Sequence, residues 1–451
     1  MTRTAGMGMM QRMLVSITLA DPRCHTRGNH QAHPRAPGKL PAAAWLLTLL
    51  LTAGVGPARA DVPLPELPPE PVVQAVLESR PEVQRAAAHL RAEEAVARGL
   101  VAGPQEWTVR GDVAQRRVYP TPSARDFEYR AGIDRPIRFG DKAAADARIG
   151  ERGVEAARWM LGDARHEASR ALLATWFAWL RAENVLAARE DADRALAQIA
   201  DTVRQREALG DAARLERIQA EAALAQSQAA TLQARRDRDA ARTTLTRQYP
   251  AIGLNPPALP DPGLLDPATD WAALIVEHSH ELGVAQAEAE RAAAVAERLR
   301  LDRRPDPTVG VGFASERGGD EHIAILTLSV PIPGESRREQ GIASLARADA
   351  ARAQVEEARL RVEADARTAT ERVATSVQAW RSAEAAARQA REVADLTALA
   401  QRLGERALGD VLLAQRLASE ARQQAVVARI DALEARDRVW LDAHTIWKDN
   451  D

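Results

Sequence analysis

The sequence predicts a mainly helical protein with a small antiparallel β contribution, arranged as two tandem units of helix, β-hairpin, very long helix and helix. Three observations predict it. Two alanine- and arginine-rich stretches, Asp141 to about Ala208 and about Arg337 to Leu403, keep helical spacing with no internal proline. Each follows a segment whose hydrophobic period is two rather than 3.6. The whole order of patterns then recurs with a period of roughly 200 residues, which marks a duplication rather than a short-repeat solenoid. Composition agrees: aromatics are 4% of the chain, so long helices with thin, small-residue seams are expected rather than a large aromatic core.

The elements follow in order. Lys39 and Arg35 flank an apolar core from Ala42 to Val55, and Ala58-Arg59-Ala60 is a small-x-small cleavage site. Residues 1–60 are therefore an N-terminal extension and export signal, and the mature chain is expected to start at Asp61. The sole cysteine, Cys24, lies ahead of that signal, so no disulfide, thiol ligand or lipid anchor is expected in the mature chain. Beyond the signal no run reaches the ~20 apolar residues of a membrane helix. The first unit (61–248) opens with a Pro-rich lead-in and a helix from about Val72 to Leu100, stopped by Gly103-Pro104.

Two strands come next. Trp107, Val109, Gly111 and Val113 alternate with polar residues, as do Phe127, Tyr129, Ala131 and Ile133, with a loop at Tyr119–Ser123. One apolar and one charged face suit a hairpin on a soluble core and a transmembrane barrel pair equally. "RPIRFG", holding Pro136 and Gly140, leads into the first long helix, which at ~1.5 Å per residue is roughly 100 Å long. Leu209-Gly210-Asp211 breaks it, and a helix from about Ala212 to Arg247 follows.

A Pro-rich linker (249–270) separates the second unit (271–451). That unit has a helix from about Trp271 to Arg304, a strand with Val309, Val311 and Phe313 on one face, a Gly318-Gly319-Asp320 turn and a strand from Ile323 to Val330. Its exit "VPIPG" contains Pro331, Pro333 and Gly334, followed by the second long helix, a break over Gly404–Gly409 and a last helix from about Asp410 to Trp447.

Both breaks contain Ala-Leu-Gly-Asp, yet aligning those letters needs an offset of 199 and leaves the long helices a full turn unequal. An offset of 194 keeps them equal, pairs Gly210 with Gly404, and pairs Glu216 with Asp410. The shorter helices have lengths that stack to full height, 212–247 on 271–304 and 72–100 on 410–447, giving four columns per chain. Four amphipathic strands cannot close a barrel, and an open edge cannot sit in lipid. A trimer with twelve strands and twelve columns is the expected closure.

The ordered set of hairpins, exits and breaks resembles the TolC family of outer-membrane efflux channels over essentially all of Asp61–Asp451. The second break fits that family's Gly-x5-Asp-(Val/Leu)-Leu-x-Ala-Gln pattern through Gly404, Asp410, Val411, Leu412, Ala414 and Gln415. The first departs from it at Glu216, Arg217, Ile218 and Glu221. "RPDPTVGVGFASERGGDEHIAILTLSVPIPG" looks most like the branch serving heavy-metal resistance-nodulation-division (RND) pumps. The resemblance implies a homotrimeric 12-stranded barrel in outer-membrane lipid on a periplasmic helical tube. It implies a passive duct that docks a periplasmic adaptor and an inner-membrane RND-type pump. Gly210, Asp211, Glu216, Gly404 and Asp410 would then form the periplasmic tip, and Trp107, Val109, Phe127, Tyr129, Val309, Val311 and Phe313 would face lipid. A structural role for the two carboxylates, at helix N-termini, is an equal reading.

Other functions find little footing. Net charge is −2 with both signs interleaved, which gives no nucleic-acid footprint. No nucleophile arrangement or phosphate loop is present, so no enzyme and no cofactor is expected. His278, His280 and Glu281 suggest a metal site, but the two histidines, two residues apart, do not share a helical face, so they are expected to be exposed or at a stacking junction instead. His322 is expected to be solvated. The alternative reading is a periplasmic coiled-coil adaptor or tether without a barrel.

Overall fold

The computed structural model describes residues 64–117 and 125–448, in two compact units. The export signal, its cleavage site, Cys24 and the 119–123 loop lie outside the described residues.

One unit is a four-stranded sheet in the order β1-β2-β3-β4, with β1 Thr108–Arg117, β2 Arg125–Pro136, β3 Thr308–Glu316 and β4 Glu321–Ser329. β1 and β2 pair antiparallel with Val109 opposite Ile133 and Val113 opposite Tyr129. β3 and β4 pair with Val309 opposite Leu328, Val311 opposite Leu326 and Phe313 opposite Ala324. Because side chains alternate along a strand, directly paired residues share a face, and these registers collect the apolar positions on one face of each hairpin. Val109 is 78% exposed and Val311 58%, so the apolar face has no cover among the described residues. Trp107 sits one residue ahead of β1 with the Arg135 guanidinium over its ring.

The opposite face is ionic. Arg116 pairs with Glu128 and, at 3.0 Å, with Glu316, which also takes Arg130 at 2.9 Å. Arg110 pairs with Asp134 at 2.5 Å. These links tie the first hairpin to β3. Ile323 and Ile325 lie on this face by register, so β4 alternates less cleanly than the other strands.

The other unit is helical: α1 Glu70–Glu78, α2 Pro81–Ala102, α3 Lys142–Ala208, α4 Arg214–Gln248, α5 Trp271–Glu277, α6 His280–Leu301, α7 Glu335–Arg402 and α8 Leu408–Asp442. The long helices α3 and α7 have 67 and 68 residues, and α4 and α8 have 35 each. α3 packs on α2 and α4, and also on α6 and α8; α7 packs on α5, α6 and α8. The helices thus lie in a row: α2 with α4, then α3, then α6 with α8, then α7. Among the described residues, no helix is long and apolar enough to cross a membrane.

The stacking differs from the sequence expectation. α4 ends against the start of α2, where Arg80 donates to the Gln248 carbonyl at 3.0 Å and lies over the Tyr249 ring. The end of α8 meets the start of α6, with the His444 and His280 rings 4.9 Å apart. So 214–248 stacks on 81–102, not on 271–301. The reason is connectivity: the hairpin and the turn attach α2 and α4 to opposite ends of the same α3, so both come to lie along it.

Two expected helices are also broken. Arg80 is extended ahead of Pro81, whose missing N–H suits it to open α2. Ser279 interrupts the second, its side chain accepting from Leu282 N at 3.2 Å to cap α6.

The core lies at the middle of α3, where the half-helices meet. Trp176, Phe177, Trp179 and Leu180 pack with Val73, Val76 and Leu77 of α1, Leu245 and Tyr249 at the end of α4, and Ile430 and Leu433 of α8. The Trp176 indole donates to the Glu66 carbonyl at 2.8 Å. Away from this belt the seams are narrow: a Cβ at Gly150 would lie 2.8 Å from Ala97 Cα, so α2 and α3 approach at backbone distance. The Pro-rich linker is anchored rather than loose. Arg429 of α8 donates to the Leu259 and Pro260 carbonyls, and Ile252 is buried in the core.

Candidate functional site: the helix turns and the strand exits

The two long helices end in turns that match bond for bond. Gly210 and Gly404 have φ of 79° and 80°, the left-handed conformation that glycine adopts without steric cost. Gly210 N donates to Glu207 O and Asp211 N to Arg206 O; Gly404 N donates to Gln401 O and Glu405 N to Ala400 O. This pairing of bonds closes the last carbonyls of each helix. It also follows the 194-residue offset, so the repeated Ala-Leu-Gly-Asp letters are not equivalent positions.

Ala213 and Ala407 open the next helices in the extended conformation without a side-chain cap. Glu216 and Asp410 are each the third residue of α4 and α8, where a carboxylate is favoured by the helix dipole. Asp211 is held by Arg206, whose Nε donates to its carboxylate at 2.9 Å and Nη2 to its carbonyl at 3.0 Å.

A small cluster of Ala200, Val203, Ala220 and Leu408, with Leu412 against it, brings both turns to one end of the helical unit. The departures from the family pattern in the first turn have a local use. Arg217 pairs with Glu207 of α3 and Glu221 of α4, both at 2.7 Å, tying the two helices just behind the turn. Sequence reasoning missed Leu209 and Leu403, the residues ahead of each turn glycine, which are 84% and 68% exposed. Equivalence to the glycine positions was the signal that would have found them.

The strand exits hold a second set of partners. Arg138 of "RPIRFG" donates to the Leu100 and Val101 carbonyls, both at 2.9 Å, satisfying the open end of α2. It also meets Asp146 at 3.0 Å, which takes Arg298 at 2.6 Å. Lys142, buried, pairs with Asp306 at 2.8 Å and Asp302 at 3.1 Å. Arg337 donates to the Asp302 carbonyl at 3.1 Å and so closes α6 in the corresponding way. Gly140 takes a φ of 70° just ahead of α3 and Gly334 starts α7, so the exits turn the chain, and Pro136, Pro331 and Pro333 stiffen it. The exit motif thus carries its load through Arg138, which the sequence reading did not single out.

The sequence neighbours His278, His280 and Glu281 do not act together. Glu281 pairs with Arg361, and the His278 ring Nδ1 lies 2.9 Å from the Leu274 carbonyl. His280 instead meets His166 of α3 and His444 beyond α8. Burial, with the three neighbouring imidazoles adding, lowers His444 to about 4. His322 lies in β4 with its ring 5.4 Å from Phe313.

This architecture is similar to that of solved outer-membrane channels. The solved outer-membrane channel OprN superposes with a TM-score of 0.74 at 17% identity, over 84% of this chain and 90% of that one. The outer-membrane protein VceC from Vibrio cholerae superposes with a TM-score of 0.64 at 16% identity, over 82% and 95%. By sequence, the chain is similar to the cobalt-zinc-cadmium resistance protein CzcC of Cupriavidus metallidurans, with 27% identity over 254 residues. That match covers 52% of this chain and spans 60% of the relative's length. No family model matches the chain. These likenesses agree with the resemblance to the TolC family and its heavy-metal branch.

Proposed function

We propose that the chain is the outer-membrane channel subunit of a tripartite efflux pump: a passive exit duct that docks a periplasmic adaptor and an inner-membrane RND-type transporter, with heavy-metal cations as cargo. One observation carries the reading. Among the described residues, both the sheet and the helix row are four members wide, and each ends in members with no partner on the outer side. Copies of the same chain satisfy both at once, and three of them close twelve strands around a lumen with the ionic face inward. The apolar face, with Val109, Phe127, Tyr129, Val309, Val311 and Phe313, then meets lipid. Ile342, Leu345, Leu360, Val393, Leu396 and Leu399 are exposed along α7, which suits a neighbouring chain. The matched elements on either side of the linker are read as one unit duplicated, 61–248 and 271–451. A periplasmic tether leaves the uncovered apolar sheet face without a purpose.

Deleting the gene is expected to raise sensitivity to zinc, cobalt, cadmium or copper. The protein is expected to stay with outer membranes through a carbonate wash and to need detergent for release. Release by carbonate, or unchanged sensitivity to all four metals together with a panel of organic toxicants, would contradict the reading.

The turns are the proposed docking end. Glu216→Lys combined with Asp410→Lys reverses the charge there at a folding cost of only about 0.3–1 kcal/mol per site. The expected result is normal outer-membrane assembly with lost adaptor cross-linking and lost resistance. If cross-linking persists, the two carboxylates serve their helices alone.

A further inference from the structure

We propose that His166, His280 and His444 form a binding site for a divalent first-row transition metal of the zinc class, at the joint where α8 meets α5 and α6. This goes beyond the efflux reading and does not depend on it, because the site lies within one chain's helical unit and needs no transported cargo.

Residues 64–448 contain six histidines, and four of them (His166, His278, His280 and His444) converge on this joint from three separate segments. One ligand nitrogen each of His166, His280 and His444 lies within 4.8 Å of the others. At a zinc–nitrogen distance of about 2.0–2.1 Å, tetrahedral ligands stand roughly 3.4 Å apart, so modest side-chain rotation completes the site. Three imidazoles with one open position form a set that selects zinc, cobalt, nickel or copper over magnesium and calcium.

The surroundings prepare the rings. The Nε2 of His166 lies 3.2 Å from the Asp442 carboxylate, the kind of partner that orients a ligating histidine and leaves its second nitrogen for metal. Asp442 is itself fixed by Arg170 and Arg438, both at 2.9 Å, so it orients rather than ligates. The Nε2 of His444 is buried with no hydrogen-bond partner among the described residues, an uncompensated polar atom that a metal would satisfy. His444 also has a φ of 53° at the helix end, a position that favours glycine. Its conformation is fixed by the Leu441 and Trp440 carbonyls, which accept from the N–H groups of His444 and Thr445. Space for the rings comes from glycine: a Cβ at Gly162 would lie 2.6 Å from the His280 ring. A cavity of ≈ 460 Å³ lined by Asp163, His166, His278 and His280 gives an ion access from one side. Bound there, a metal would pin α8 and α6 to the middle of α3.

The test uses the purified full-length protein in detergent, stripped with a chelator. Zn²⁺ is titrated in competition with a chromophoric chelator, and Co²⁺ is followed by its visible d–d bands. The expected result is one ion per chain with tetrahedral or five-coordinate Co²⁺ bands. Affinity should fall about tenfold or more in His280→Gln and in His444→Asn, and hold in His89→Asn, which lies elsewhere on α2. Zinc should raise the melting temperature of the wild type but not of His444→Asn, and melting of both in chelator reports whether the variant folds. Absence of Zn²⁺ binding to the wild type at micromolar concentrations overturns the proposal. So does equal binding by a His166→Gln, His280→Gln, His444→Asn triple variant. Neither outcome bears on the export reading, which the gene deletion tests separately.

Discussion

Val311→Arg is expected to stop stable outer-membrane assembly. Val311 lies mid-strand in β3, opposite Leu326, on the uncovered apolar face. An arginine on the lipid face of a barrel near the bilayer midplane costs about 2–4 kcal/mol, a large share of the 5–15 kcal/mol that typically separates folded from unfolded chains. Thr327 lies one residue along β4 on the opposite, ionic face, opposite Gly310. Thr327→Arg is therefore expected to assemble normally. The measurement is the amount of heat-stable protein in outer-membrane fractions for the two variants. On a water-exposed hairpin the two arginines would be alike, each within about 0.5 kcal/mol of wild type. Equal assembly of both variants would sink the lipid-facing assignment.

Arg436→Met is expected to be the most destabilising single change in the helical unit. Glu66 and Asp437 are fully buried, and Arg436 bridges them while lying over the Trp440 ring. Removing the guanidinium strands two carboxylates in the core, at a cost of about 3–5 kcal/mol. Asp437 also gives the effect a pH dependence. Burial first, with Glu66 adding and Arg436 opposing, pushes its carboxyl up to about 7. An unfolded aspartate ionises near 4. Between those values the folded chain keeps a proton that the unfolded chain has released, so stability falls as pH rises and the penalty is complete above pH 7. Asp437→Asn is thus expected to be more stable than wild type at pH 8 by about 1–3 kcal/mol, with the gap closing towards pH 4. Melting of the detergent-solubilised proteins across that range checks both variants. An Asp437→Asn protein no more stable than wild type at pH 8 would refute the buried-charge account.

Local signals carried the fold far, and they failed where geometry is global. Alternation over Trp107–Val113 and Phe127–Ile133 was enough for the hairpin and its faces, because a period of two fixes which side chains share a side. Equal helix lengths were enough to reject the visible Ala-Leu-Gly-Asp alignment, and the matched hydrogen bonds at Gly210 and Gly404 follow the resulting register. The stacking order was misread because length alone cannot tell which half-helix joins which; the connection of α2 and α4 to one α3 decides it. The breaks at Pro81 and Ser279 were readable from a pre-proline residue and a serine cap, but the helical periodicity around them was stronger. The histidine joint was half visible. His278 and His280 stood out as neighbours, whereas His166 and His444 lie more than a hundred residues away and only folding brings them in. Arg138 and Leu209 carried no motif of their own, and their use depends on carbonyls and exposure that no sequence pattern prints.

Identical chains are expected to complete the barrel and the helix row that a single chain leaves open. Sedimentation of protein extracted from outer membranes, in a detergent matched to solvent density so that only protein mass counts, tests this closure most directly. Three chains per particle is the predicted result. A single chain per particle, stable and folded, would rule out closure by copies of the chain.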